Sequence, residues 1–130
     1  SSRASEEPLY GRRLLVIEDD ADSREALSAL LRQWQCEVRA TERATEALEW
    51  VDAGYRPEAV IADFRLSEPM SGAEAIRALR ASVQPGLPAL LVTGDVPENV
   101  NDTDDLLLLR KPVKPIQLRA FLNRAFADLA

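Results

Sequence analysis

At 130 residues, with 46% hydrophobic and 29% charged side chains, the chain has the size and balance of one globular domain. It holds no histidine and a single cysteine, Cys36. That excludes a Ser-His-Asp or Cys-His nucleophile, a histidine-ligated zinc, a phosphohistidine on this chain and an internal disulfide. Its 22 acids against 16 bases leave a net charge of −6, which argues against nucleic-acid binding, and no apolar run approaches the ~20 residues of a membrane span.

Residues 1–12 open polar and without periodicity, and are expected to be a linker, with the domain running over 13–130. A start on Ser1-Ser2 rather than methionine fits a piece of a longer chain, although a tag remnant looks the same. Leu14 to Ile17 is continuously apolar, as a strand buried on both faces should be. Ala21 to Trp34 places Leu27, Leu30, Leu31 and Trp34 on one helical face. Cys36 to Ala40 alternates like an edge strand, and Thr41 to Ala53 is helical until Gly54. A buried strand follows at Ala59 to Ala62, then a helix from Ala73 to Val83. Past Pro85-Gly86 come strands at Ala89 to Val92 and Leu106 to Leu109, and an amphipathic helix from Pro115 to Ala130. Strands alternating with helices predict an α/β fold, one parallel sheet with helices on both faces. Only the 12 residues Gly94 to Asp105 join the last two strands, so a fourth helix there should be short or missing.

In such sheets, ligands bind where the strands end. The first strand ends on Glu18, Asp19 and Asp20, the third on Asp63, the fourth on Thr93, Gly94 and Asp95, and the fifth on Arg110 and Lys111. Asp20 or Asp22 reads best as the cap of the following helix. Asp19, after four buried residues, reads better as a cation ligand. Converging carboxylates repel one another, and a hard divalent cation such as Mg²⁺ relieves that. A carboxylate beside it can accept a phosphoryl group, whose oxygens the Thr93 hydroxyl and the Lys111 ammonium would neutralise. Taken singly, Asp63 could be a turn residue, Thr93 a cap and Lys111 a surface lysine. Their arrival together at one sheet edge favours the shared site.

This ordered set resembles the receiver domain of two-component response regulators, from about Arg13 to Leu129. Asp19 and Asp63 stand 44 residues apart, and Asp63 and Thr93 stand 30 apart. The resemblance implies a flavodoxin-like sheet in the order 2-1-3-4-5, with Asp63 as phosphoacceptor. Glu18, Asp19, Asp63 and the backbone carbonyl of Arg65 would bind Mg²⁺, with Lys111 and Thr93 serving the phosphoryl group. Lys111-Pro112 is similar to the family's lysine and cis-prone proline. Four departures stand out. Ser67 replaces a usual proline four residues past the acceptor, and the loop to Gly72 is longer than usual by one residue. Leu108 sits where a switch aromatic is usual, and the crossover before the fifth strand is short. Thr93 and Leu108 are therefore the expected switch pair, without the aromatic that ordinarily turns inward.

The segment Leu109 to Pro115 with its terminal helix looks most like receivers appended to hybrid sensor histidine kinases. The expected function is thus a cytoplasmic phosphoacceptor module rather than a turnover enzyme. A histidine kinase, on the same polypeptide or another, or a histidine phosphotransfer protein would be its partner. Two rivals stand beside it. One is a degenerate receiver acting as an interaction module, docking or dimerising through the Leu106 to Leu109 side. The other is an aspartate-nucleophile phosphatase, whose first-strand aspartate pair is poorly matched by Glu18-Asp19-Asp20. No nucleic-acid partner and no membrane insertion are expected.

Overall fold

A computed structural model describes residues 7–94 and 106–127. Five strands, β1 (Arg13–Ile17), β2 (Glu37–Thr41), β3 (Ala59–Asp63), β4 (Ala89–Thr93) and β5 (Leu107–Arg110), form one all-parallel sheet in the order β2-β1-β3-β4-β5. Helices α1 (Ala21–Gln33), α2 (Ala44–Asp52), α3 (Gly72–Ser82) and α4 (Pro115–Ala125) cover its two faces. This is the flavodoxin-like arrangement expected from the sequence. The short or missing helix expected between β4 and β5 falls on residues 95–105, outside the described residues.

Alternation along the strands sorts the core into two layers. Leu15, Ile17, Val60, Ala62 and Leu91 face α2 and α3, where Ala47, Val51, Ile76 and Leu79 meet them. Leu14, Val16, Ile61, Leu90 and Val92 face the other way, onto Leu31 of α1 and Leu118 and Leu122 of α4. All five residues of both β3 and β4 are buried, which is why these strands read as unbroken apolar runs.

The observed boundaries differ from the predicted ones for local reasons. The second strand starts at Glu37 because the Cys36 N–H still donates to the Leu31 carbonyl at 3.1 Å, closing the end of α1. Thr41 belongs to β2 opposite Ile17, and its Oγ1 accepts from the Arg43 N–H, so α2 starts only at Ala44. The fifth strand is shifted one residue, with Leu106 buried ahead of it and Arg110 paired with Thr93. The expected linker boundary at residue 12 also moves. Leu9 is fully buried in the α1/α4 layer, and Arg12 pairs with Glu58 at 2.8 Å while lying 4.4 Å from the centre of the Phe126 ring. Residues 7–12 thus pack against the domain.

Candidate functional site

Because all five strands run in parallel, their carboxyl ends share one edge. There β1 leads into Glu18 and Asp19, β3 ends on Asp63, β4 on Thr93, and β5 leads into Lys111. Register tightens the grouping: Asp63 lies opposite Val92, and Thr93 opposite Arg110. The Lys111 N–H then donates to the Thr93 carbonyl at 2.7 Å, prolonging the ladder by one bond.

Lys111 Nζ donates to Asp63 Oδ2 at 2.7 Å and lies 2.6 Å from Glu18 Oε1. The other carboxylate oxygens are held by backbone: Glu18 Oε2 accepts from the Asp20 N–H at 3.1 Å, and Asp63 Oδ1 from the Arg65 N–H at 3.1 Å. Arg24 fixes the Glu18 main chain by donating to its carbonyl at 2.9 Å. Lys111 precedes Pro112 through a cis peptide bond. An apolar cavity of about 410 Å³, walled by Leu27, Leu30 and Leu118, opens beside Glu18, Asp63 and Lys111.

Burial pushes the Glu18 carboxyl up to about 7, and the neighbouring Asp63 carboxylate adds to that against the pull of Lys111. For Lys111, burial acts to lower its pKa, but the hydrogen bonds it donates to Asp63 and Glu18 outweigh it and hold the ammonium above its ordinary value. Glu18, Asp19 and Asp63 each offer an oxygen, and these three lie within 4.8 Å of one another. With all three ionised, as a bound cation would favour, three carboxylates against one ammonium leave two negative charges. Hard oxygen donors at that spacing and charge suit a small divalent cation.

Of the residues singled out in the sequence, Glu18, Asp19, Asp63 and Lys111 are thus brought together. Thr93 is buried at the end of β4, and Arg65 is exposed two residues beyond Asp63. Leu108 sits on β5 opposite Leu91 and packs, partly buried, against the α2/α3 layer. Asp20 caps α1, its Oδ2 accepting from the Ser23 N–H at 2.8 Å. That bond holds the Asp20 carboxyl below its usual value. The apolar edge expected at Leu106 to Leu109 is narrower than supposed: Leu106 is buried, Leu108 and Leu109 are partly buried, and only Leu107 is exposed.

Three features of the loop between β3 and α3 were not foreseen. Ser67 Oγ donates to Asp19 Oδ2 at 2.7 Å. Glu68 Oε2 accepts the Ala44 N–H at the start of α2, whose N-cap, Arg43, makes no side-chain cap bond. Gly72 packs so tightly on β3 that a Cβ there would lie 2.1 Å from the Asp63 carbonyl oxygen. Only the capping box had a readable signature, Ser71 followed three residues on by Glu74.

Comparison with known proteins agrees with this architecture. The family model for the response regulator receiver domain matches residues 14–123, and the chain belongs to that family. It is 33% identical over 106 residues to a response regulator receiver protein of Anaeromyxobacter sp., covering 78% of this chain and 43% of that relative. The chain therefore spans under half of that protein's length. Among solved structures, a response regulator receiver protein from Sinorhizobium medicae superimposes with a TM-score of 0.82 at 22% identity, over 91% of this chain and 96% of that one. Another is the receiver domain of sensor histidine kinase PA1611 from Pseudomonas aeruginosa, solved with a magnesium ion in its active-site cleft. It superimposes with a TM-score of 0.78 at 23% identity, covering 91% of this chain and 99% of that one. The central aspartate stands on β3, whereas the phosphatase alternative needs its nucleophile on the first strand.

Proposed function

We propose that this receiver domain is a working phosphoacceptor, taking a phosphoryl group on Asp63 in the presence of Mg²⁺ from a partner histidine kinase or histidine phosphotransfer protein. The observation that carries this reading is the Lys111 ammonium bridging Asp63 and Glu18 within 2.7 Å, beside Asp19. An isolated turn aspartate would have no use for a lysine and two further carboxylates around it.

Each residue then has a defined task. An Asp63 carboxylate oxygen attacks phosphorus, forming an acyl phosphate as the bond to the donor's imidazole nitrogen breaks and the imidazole leaves. Lys111, already hydrogen-bonded to Asp63, neutralises one phosphoryl oxygen, and the Thr93 hydroxyl donates to another. Glu18, Asp19, Asp63 and the Arg65 carbonyl would hold the cation. When bound, Mg²⁺ supplies charge neutralisation for the phosphoryl oxygens. The conformational readout starts from Thr93 and passes Leu108, whose packing on the α2/α3 layer takes the place of a turning aromatic.

Placement with a hybrid histidine kinase in the cytoplasm is part of this proposal and rests on the sequence resemblance; the P. aeruginosa receiver, which shares the fold, was solved with magnesium in its cleft. No helix among the described residues is long and apolar enough to cross a membrane. To test the acceptor assignment, the protein would be treated with acetyl phosphate, reduced with borohydride and peptide-mapped. Modification at Asp63 is expected, and modification confined to another carboxylate would refute it.

A second reading, an interaction module that needs no phosphate, draws on Leu107, 51% exposed on the edge strand β5, and Ile116, 78% exposed at the start of α4. Sedimentation of wild type and Leu107→Lys decides it. Self-association that is independent of acetyl phosphate and lost in the variant would favour this reading, and a monomer throughout would remove the homodimer.

A further inference from the structure

We propose that Ser67 is a positioning residue, whose hydroxyl holds the Asp19 carboxylate in the orientation needed to complete the cation site. This rests on reading Glu18, Asp19 and Asp63 as that site. Each of these carboxylates needs something to fix its rotamer. Glu18 and Asp63 have Lys111 and a backbone N–H each, at the distances given above. Asp19 is only half-buried and lies outside the Lys111 bridge. The neighbouring Asp20 is committed to capping α1. The Ser67 hydroxyl, 2.7 Å from Asp19 Oδ2, does for Asp19 what the backbone does for the other two.

Ser67 is well placed because its loop is pinned around it. At its far end the Gly72 N–H donates to the Phe64 carbonyl at 2.9 Å, closing the turn from β3 into α3. In its middle, the Glu68 carboxylate sits at the N-terminus of α2, where a negative charge is favoured, and accepts the Ala44 N–H. A loop held at Phe64, Glu68 and Gly72 presents the intervening hydroxyl at a fixed place. The donor takes up one lone pair of Oδ2 and leaves the rest of the carboxylate for a cation. Small octahedral cations tolerate little misorientation of their ligands, and partners of ligands commonly set affinity. A proline at this position has no hydroxyl to give, so the device belongs to this chain's own loop.

The test is Mn²⁺ binding followed by electron paramagnetic resonance, with Mg²⁺ as competitor, on wild type, Ser67→Ala, Ser67→Thr and Asp19→Asn. Ser67→Ala should bind about three- to tenfold more weakly, with thermal stability in the absence of metal unchanged. Ser67→Thr, which keeps the hydroxyl, should restore most of the loss, and Asp19→Asn should bind worst. Ser67→Ala binding as wild type, or more tightly, while Asp19→Asn is impaired, would overturn the positioning role and leave the cation site standing. Wild-type protein that takes up no cation, or that matches Asp19→Asn, would overturn the site and this role with it.

Discussion

Gly72 offers a perturbation whose sign separates two accounts of one residue. At an ordinary first-turn helix position, glycine to alanine stabilises by about 0.4–1 kcal/mol, because the unfolded chain loses freedom and the helix gains propensity. Here the added Cβ would lie 2.1 Å from the Asp63 carbonyl oxygen, 2.8 Å from its carbon and 3.0 Å from Leu91 Cδ2. Ordinary contact begins near 3.4 Å, so the start of α3 and the end of β3 would have to part by roughly 1.3 Å. Both obstacles at Asp63 are backbone in a fully buried strand, and neither can swing aside. Overpacking of this kind costs about 3 kcal/mol, near the upper end of its usual range. For a chain of this length that lowers Tm by roughly 12 °C. The same displacement would move the Asp63 carboxylate from its 2.7 Å bond to Lys111, so acetyl phosphate labelling should fall along with stability. Urea denaturation of wild type and Gly72→Ala measures the first effect. A variant as stable as wild type, or more stable, would refute the claim that this glycine is required by the approach of α3 to β3.

Two further outcomes follow from the same geometry. Burial would raise the Glu58 pKa, but hydrogen bonds from the Arg13 N–H and the Arg12 guanidinium, with the charges of both arginines, hold it below its ordinary 4.5. Its stabilising contribution is therefore complete above pH 4.5 and is lost as the pH falls through the lower folded-state value. Glu58→Gln should cost about 1 kcal/mol at pH 7, with the gap to wild type closing in acid; a gap independent of pH would contradict the assignment. Ser71→Ala removes the hydroxyl half of the capping box on α3, in which Ser71 Oγ accepts from the Glu74 N–H at 3.1 Å. Chemical denaturation should show a loss of about 1 kcal/mol, and no loss would mean that water replaces the cap without cost.

The sheet was legible because β3, β4 and β1 from Leu14 onward are buried on both faces and carry no polar residue until their carboxyl ends. The same property marks Glu18, Asp63 and Thr93, the first polar residues after these runs, as sharing one edge of the sheet. Strand β5 was harder, since Leu106 to Leu109 are four identical residues with no alternation to set a register. The structure buries the first, exposes the second and ends the strand on Arg110. Leu9 was missed because one apolar residue among polar neighbours has no period, yet it is wholly buried. The Ser67–Asp19 bond joins residues 48 apart through two loops, and no local pattern announces such a meeting. Gly72 was read as the end of a loop, because close approach to another strand is a tertiary fact. The resemblance marked Ser67 as an unusual residue, and only the geometry supplied a use for it.

The central claim is that Asp63 accepts a phosphoryl group with the help of a cation held by its acidic neighbours. Intact mass after incubation with acetyl phosphate, with and without Mg²⁺, for wild type and Asp63→Asn, tests it most directly. The account predicts one added phosphoryl group on wild type with Mg²⁺, and none without Mg²⁺ or on Asp63→Asn. An equal adduct on Asp63→Asn, or no adduct on wild type together with no response to beryllofluoride and Mg²⁺, would contradict it.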